Sequence, residues 1–241
     1  MRSLTLVAPG HFETRTGGHL YNRRMAEGLR ERGWSVDVRQ LDDSFPYPTS
    51  TALQSASTVL ASLGDGARLL VDGLALSAMP DAIEREAARL RIAALVHLPL
   101  GADVSVDPHE ARRLAEAERR ALAASGLIIA TGAATVGMLA PYGIARSRIV
   151  VVEPGTACAP LSRGSDQTRV QLLTVATMNP NKGYDLLLEA LAAIPFKNWH
   201  LTCAGSVTRH PATVDRVRAM IGAFDLEDRV TLVGELDAAT L

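Results

Sequence analysis

Short apolar runs alternate with helical segments along almost the whole chain, and that alternation restricts the fold more than any other feature. Residues 4–8 (LTLVA), closed by Pro9-Gly10, read as a buried first strand. A loop over 11–16 leads through Gly17-Gly18 into a helix that ends at Arg32, with Gly33 beyond it. Val36 and Val38 mark a second strand, and 42–50 (DDSFPYPTS) is irregular. A helix over 52–63, strand 68–72, helix 78–90 and strand 92–97 follow. Asp107-Pro108-His109-Glu110 is a helix start, with a cap, a proline at the first helical position and a glutamate three after the cap. That helix runs to Ala124, and strand 127–130, helix 133–139 and strand 149–152 complete the series. Strands joined through helices must run parallel, so the expected class is α/β with a doubly wound sheet.

The rhythm breaks at 153–166 (EPGTACAPLSRGSD), which is rich in Pro, Gly, Ser and Thr and reads as a linker. It restarts with strand 170–176, which reads as buried, then helix 183–193, strand 200–204, helix 212–224 and strand 230–233. Three strands and two helices make about half of a doubly wound domain. Two domains are therefore expected, over 1–160 and 168–241, the second incomplete. A helix start at 237–241 suggests a chain that continues for roughly another hundred residues, enough for ordinary domain size.

Composition narrows the partners. A net charge of −1 gives no general surface for nucleic acid. Arg112, Arg113, Arg119 and Arg120 cluster, but Glu110, Glu116 and Glu118 are interleaved with them, as on a solvated helix face. Cys158 and Cys203 have no partner motif, so neither a disulfide framework nor a metal-ligand spacing can be read, and a reducing, cytoplasmic setting fits best. No apolar run approaches the roughly 20 residues that span a bilayer, which leaves peripheral membrane contact open.

Three places could carry chemistry. The turn with Lys182-Gly183 lies between strand 170–176 and its helix, where backbone N–H groups, a helix dipole and a lysine could hold an anion; a solvent lysine beside an ordinary helix start is the competing reading. Gly17-Gly18 occupies the corresponding place after the first strand, as a ligand-approach loop or a tight turn, and without the spacing of a dinucleotide fingerprint. His97 ends a buried strand before Leu98-Pro99, facing a ligand or simply finishing the strand. Glu153-Pro154-Gly155 reads as a turn, and His11, His19 and His109 have no evident partners.

In order and spacing these segments resemble the GT-B retaining glycosyltransferases of family four, also called glycosyl transferases group 1. The pieces are Gly17-Gly18, LVHLPL, EAERRALAASGLIIAT, RIVVVEPGT, LLTVATMNPNKGYDLLLEALA, LTCAGS and DRVTLVGEL, and together they cover nearly the whole chain. The resemblance implies two Rossmann-like domains facing a cleft, the first on the acceptor side and the second for the nucleotide sugar. It implies transfer of a sugar from a nucleoside diphosphate sugar to a hydroxyl acceptor, with no metal or other cofactor. Gly17 and Gly18 would approach the donor diphosphate and acceptor. His97 would be the catalytic residue near the transferred sugar, and Lys182, backed by Gly183, would bind the diphosphate. Thr177 stands where the family commonly has an arginine, which removes a charge-assisted bond to phosphate. The family's two glutamates, seven residues apart, would lie beyond Leu241, so this fragment is expected to be inactive. A nucleotide-sugar epimerase of the same fold and a non-catalytic GT-B-like scaffold are the alternatives.

Overall fold

The structure is a computed structural model that describes residues 2–103, 106–161, 164, 168–237 and 240. The chain divides into two compact units, Met1–Thr156 and Ala157–Leu241.

The first unit is a six-stranded parallel sheet in the order β2-β1-β3-β4-β5-β6. Its elements are β1 (Arg2–Pro9), α1 (Gly17–Glu31), β2 (Trp34–Leu41), α2 (Ser50–Ala61), β3 (Arg68–Asp72), α3 (Gly73–Ala78), α4 (Pro80–Glu86), β4 (Arg91–Val96), α5 (Pro108–Ala124), β5 (Leu127–Ala130), α6 (Ala133–Leu139) and β6 (Ile149–Val151). From β1 the chain steps outward to β2, then returns past β1 to β3 and continues the other way. The order therefore reverses between β1 and β3, the place where open parallel sheets hold ligands beyond the strands' carboxyl ends.

The sheet is buried on both faces. Val7, Leu69, Val71, Ala94 and Ile128 pack with α2 to α5 on one side, and Leu6, Leu70 and Leu95 pack with Tyr21 and Ala26 of α1 on the other. Each such aliphatic side chain contributes about 1.5–3 kcal/mol on leaving water. The expected helix over 78–90 is shorter, α4 over Pro80–Glu86, and a separate short helix that was not expected, α3, precedes it from Gly73. Met79 leaves helical geometry (φ −132°, ψ 50°), and Pro80 then opens α4 at its first position, where its missing N–H costs nothing.

The second unit is a three-stranded parallel sheet, β7 (Val170–Val175), β8 (Trp199–Ala204) and β9 (Val230–Gly234), with α7 (Tyr184–Ala193) and α8 (Pro211–Ala223) as crossovers. Successive right-handed crossovers across β7-β8-β9 put both helices on one face. Leu188, Leu191, Val214, Val217 and Ile221 there enclose a core with Trp199, Leu201 and Cys203. The opposite side is open, with Leu173 58% and Val175 53% exposed, so the strand over 170–176 is not the buried one expected. An apolar run shows that a strand could be covered, not which neighbour covers it.

The expected linker has neither helix nor strand over 153–161; 162–163 and 165–166 lie outside the described residues, as do 238, 239 and 241 of the expected helix start.

Candidate functional site

In the first unit the site is built around the β1/β3 reversal. Thr16 caps α1, its hydroxyl accepting from the His19 N–H, a bond typically worth about 1 kcal/mol. The His19 ring bridges Thr16 Oγ1 at 2.8 Å and the Pro9 carbonyl at 3.1 Å. A carbonyl can only accept, so His19 Nε2 carries the proton and its Nδ1 accepts from the Thr16 hydroxyl. His19 is thus a partnered residue that ties the helix start to the end of β1, contrary to its expected isolation. This short-range arrangement fixes where Gly17 and Gly18 sit.

Gly18 lies against His97: a Cβ placed on it would meet the imidazole Cδ2 at 3.4 Å and Nε2 at 3.6 Å. Nothing within 4 Å meets a Cβ on Gly17, so only Gly18 is constrained by the histidine. Tyr21, one turn further along α1, sets its ring edge-on to His97, centroids 5.2 Å apart, and donates to the Val152 carbonyl at 2.8 Å. The hydroxyls of Thr131 and Thr135 donate to the His97 carbonyl at 3.4 and 3.2 Å, which anchors the backbone.

Asp72, at the end of β3, completes the group and was not singled out from the sequence. It is 4% exposed, and its Oδ2 stands 3.8 Å from His97 Nε2. Asn22 Nδ2 donates to that same oxygen at 2.7 Å, and the Leu74 N–H donates to Oδ1 at 3.0 Å. Burial lowers the His97 pKa; Asp72 pulls it upward and His19 downward, but desolvation dominates, so the ring is neutral near pH 7. The signal in the sequence was Asp72-Gly73 at a strand end. It reads as an ordinary helix cap until β3 and β4 are seen to be neighbours, with Asp72 opposite Leu95.

The segment after His97 is held from below by Glu118, which is fully buried rather than part of the solvated arginine face. Ser77 donates to its Oε1 at 3.0 Å and Tyr142 to its Oε2 at 2.6 Å, and the Leu100 and Gly101 N–H groups also donate. Burial nonetheless raises its pKa. The remaining charges do form a surface face: Arg113 pairs with Glu110, Arg119 with Glu116, and Arg120 with Glu84 and Asp81. Exposed pairs of this kind contribute about 0–1 kcal/mol each.

A shallow cleft of about 290 Å³ adjoins the same β1–α1 loop, lined by His11, Glu13, Arg23, Glu27 and Gln40 among others, but not by His97 or Asp72. Arg23 there is already engaged by the Phe12 and Thr14 carbonyls.

In the second unit, Thr177, Lys182 and Gly183 share the loop after β7. The chain passes through a 3-10 turn, Pro180–Lys182, and Gly183 then adopts a left-handed conformation (φ 62°). Helix α7 accordingly starts at Tyr184, not at Gly183 as expected; glycine is favoured here because a side chain is strained at that φ. Lys182 is exposed, without a carboxylate in ion-pair distance among the described residues. The loop is braced by the Tyr184 hydroxyl donating to the Ala176 carbonyl at 2.9 Å and by the Met178 N–H donating to the Ser206 carbonyl at 3.1 Å. At Gly205 (φ 146°) the end of β8 approaches so closely that a Cβ would lie 1.9 Å from the Ala176 oxygen.

Residues 161–241 match the family model for glycosyl transferases group 1. The architecture is the GT-B fold of these glycosyltransferases. Anabaena HepE in complex with UDP-glucose superposes with a TM-score of 0.67 at 16% identity, over 97% of this chain and 69% of that one. A glycosyltransferase from Rickettsia africae gives 0.64 at 15%, over 98% and 69%. MnaA of S. aureus, solved with UDP, gives 0.61 at 13%, over 100% and 71%. No curated protein matches the chain by sequence.

Among the described residues no group of three or more His, Cys, Asp or Glu is placed to hold a metal ion, and no helix is long and apolar enough to cross a membrane.

Proposed function

We propose that this chain carries the machinery of a retaining glycosyltransferase that moves a sugar from a nucleoside diphosphate sugar to a hydroxyl acceptor. The observation that carries this reading is the exposed Lys182 on the braced loop after β7, inside the segment that matches the group 1 glycosyltransferases. Lys182 is assigned to the donor diphosphate, where a full charge at a helix start stabilises the negative charge that develops as the sugar leaves. The Thr177 hydroxyl can donate to the same phosphates, more weakly than an arginine would. His97, neutral and half-buried above Asp72, is assigned to the transferred sugar, and Gly17-Gly18 to the diphosphate and acceptor on the first unit's side.

In this scheme the diphosphate is neutralised by side chain and helix dipole alone, so no step requires a metal. UDP is the natural first probe, since solved neighbours hold it. Isothermal calorimetry should show Lys182→Ala weakening UDP binding about 10- to 150-fold, which corresponds to roughly 1.5–3 kcal/mol for a hydrogen bond to a charged group. Unchanged affinity would remove Lys182 from the site. Product analysis with and without a hydroxyl acceptor separates transfer from acceptor-independent turnover of the nucleotide sugar.

A further inference from the structure

We infer that Asp72 is a positioning residue that holds the His97 imidazole in one tautomer, with the proton on Nε2 and the bare Nδ1 turned to a hydroxyl of the bound ligand. The hydroxyl half of this inference rests on the function proposed above; the tautomer half rests on geometry alone. His97 Nε2 is the buried ring nitrogen and has no hydrogen-bond partner. The charge nearest to it is Asp72 Oδ2, at 3.8 Å. An N–H facing a carboxylate is attracted to it, whereas a lone pair in that place would be repelled, so the field of Asp72 selects Nε2–H.

The carboxylate itself cannot turn away. Asn22 Nδ2 holds Oδ2 at 2.7 Å, and the first turn of α3 holds Oδ1 through the Leu74 N–H at 3.0 Å. Both partners donate, so Asp72 is an acceptor at both oxygens, as an ionised carboxylate is. The other groups around the ring do not compete for Nε2. Gly18 offers no side chain on the Cδ2–Nε2 edge, Tyr21 meets the ring edge-on with its hydroxyl spent on Val152, and His19 is committed to Thr16 and Pro9. Burial keeps the ring neutral, and a neutral ring with Nε2 protonated has its only acceptor at Nδ1. Such a nitrogen takes a hydrogen bond from an O–H and gives none to a phosphate oxygen. The ligand atom that His97 reads is therefore a hydroxyl.

The test uses the whole chain labelled with nitrogen-15 in its six histidines, the His97 signals being assigned by their loss in His97→Asn. At pH 7.5 the wild-type spectrum should show Nε2 protonated and Nδ1 bare. Asp72→Asn should erase that preference and lower the titration midpoint of His97, because the one influence that raises it is gone. Asn22→Ala keeps the charge and should keep the Nε2–H form. A wild-type ring protonated on Nδ1, or Asp72→Asn with unchanged tautomer and midpoint, overturns the inference, and so does loss of the Nε2–H form in Asn22→Ala. The wild-type measurement needs no variant, so poor folding of Asp72→Asn does not protect the idea. In calorimetry Asp72→Asn should weaken binding of UDP-glucose about 2- to 10-fold, the loss of one hydrogen bond to a sugar hydroxyl, and leave that of UDP unchanged. If the tautomer behaves as stated and UDP does not bind, the donor-site reading fails while the role of Asp72 toward His97 stands.

Discussion

Gly205→Ala is the sharpest perturbation available in the second unit, because the geometry there leaves no room for a methyl group. The added Cβ would lie 1.9 Å from the Ala176 oxygen, 2.4 Å from its carbonyl carbon and 3.0 Å from the Thr177 nitrogen. Cβ atoms essentially never approach closer than 3.0 Å, so the ends of β7 and β8 must separate by about 1 Å. Two hydrogen bonds tie these ends together, Ala176 N–H to the Ala204 carbonyl at 2.9 Å and Met178 N–H to the Ser206 carbonyl at 3.1 Å, while Gly205 N–H holds the end of β8 to Gly234 of β9 at 2.8 Å. Losing both β7–β8 bonds costs about 1–3 kcal/mol at 0.5–1.5 each. A side chain at φ 146° adds about 1–3 kcal/mol of backbone strain. The sum is roughly 2–6 kcal/mol, against a stability of roughly 4–13 kcal/mol for a unit of this length. Trp199, buried in the second unit's core, reports its unfolding once Trp34 of the first unit is replaced by Phe. Urea titration of Trp199 fluorescence should show the midpoint falling by about 1–3 M, at a slope near 2 kcal/mol/M. A fall below about 0.5 M would show that the strand ends separate freely, and the loop bearing Thr177 and Lys182 would then not be rigidly set by Gly205.

Two further outcomes concern the first unit. Glu118→Ala strands the Ser77 and Tyr142 hydroxyls and two backbone N–H groups, and should cost about 3–5 kcal/mol in chemical denaturation; Glu118→Gln, which keeps an acceptor and removes a buried charge, should cost less than half of that. His97 has a folded pKa below its ordinary value of 6.5, so the unfolded chain takes up its proton first and the His97 contribution to stability falls as pH drops through 6.5 toward the folded value. Denaturation midpoints between pH 7.5 and 5.5 should fall more for wild type than for His97→Asn, and equal falls would show that the ring is not desolvated.

The sequence by itself determined the strand and helix order, because a parallel sheet with crossovers leaves apolar runs separated by helical stretches, and nearly every run became a strand. It also placed His97 at a strand end, and Gly17-Gly18 and Lys182-Gly183 between a strand and its helix, since Pro and Gly mark where strands stop; the structure sets Gly17 and Gly18 in the first turn of α1. Tertiary structure decided what those loops touch. Asp72 and His97 are 25 positions apart and meet only because β3 and β4 are neighbours, while Gly18 and Asn22 reach them because α1 starts at the β1/β3 reversal. Glu118 shared its charge and spacing with exposed glutamates on the same helix. Only the packing of α5 against α3 and the Leu100–Ala102 turn set it facing inward, toward Ser77 and Tyr142. The open face of β7 was hidden for the same reason: a strand's own residues state how apolar it is, and the path of the crossovers states which side is covered. Local propensity and periodicity are properties of neighbouring residues in the chain, whereas burial and pKa depend on which distant segments arrive beside them.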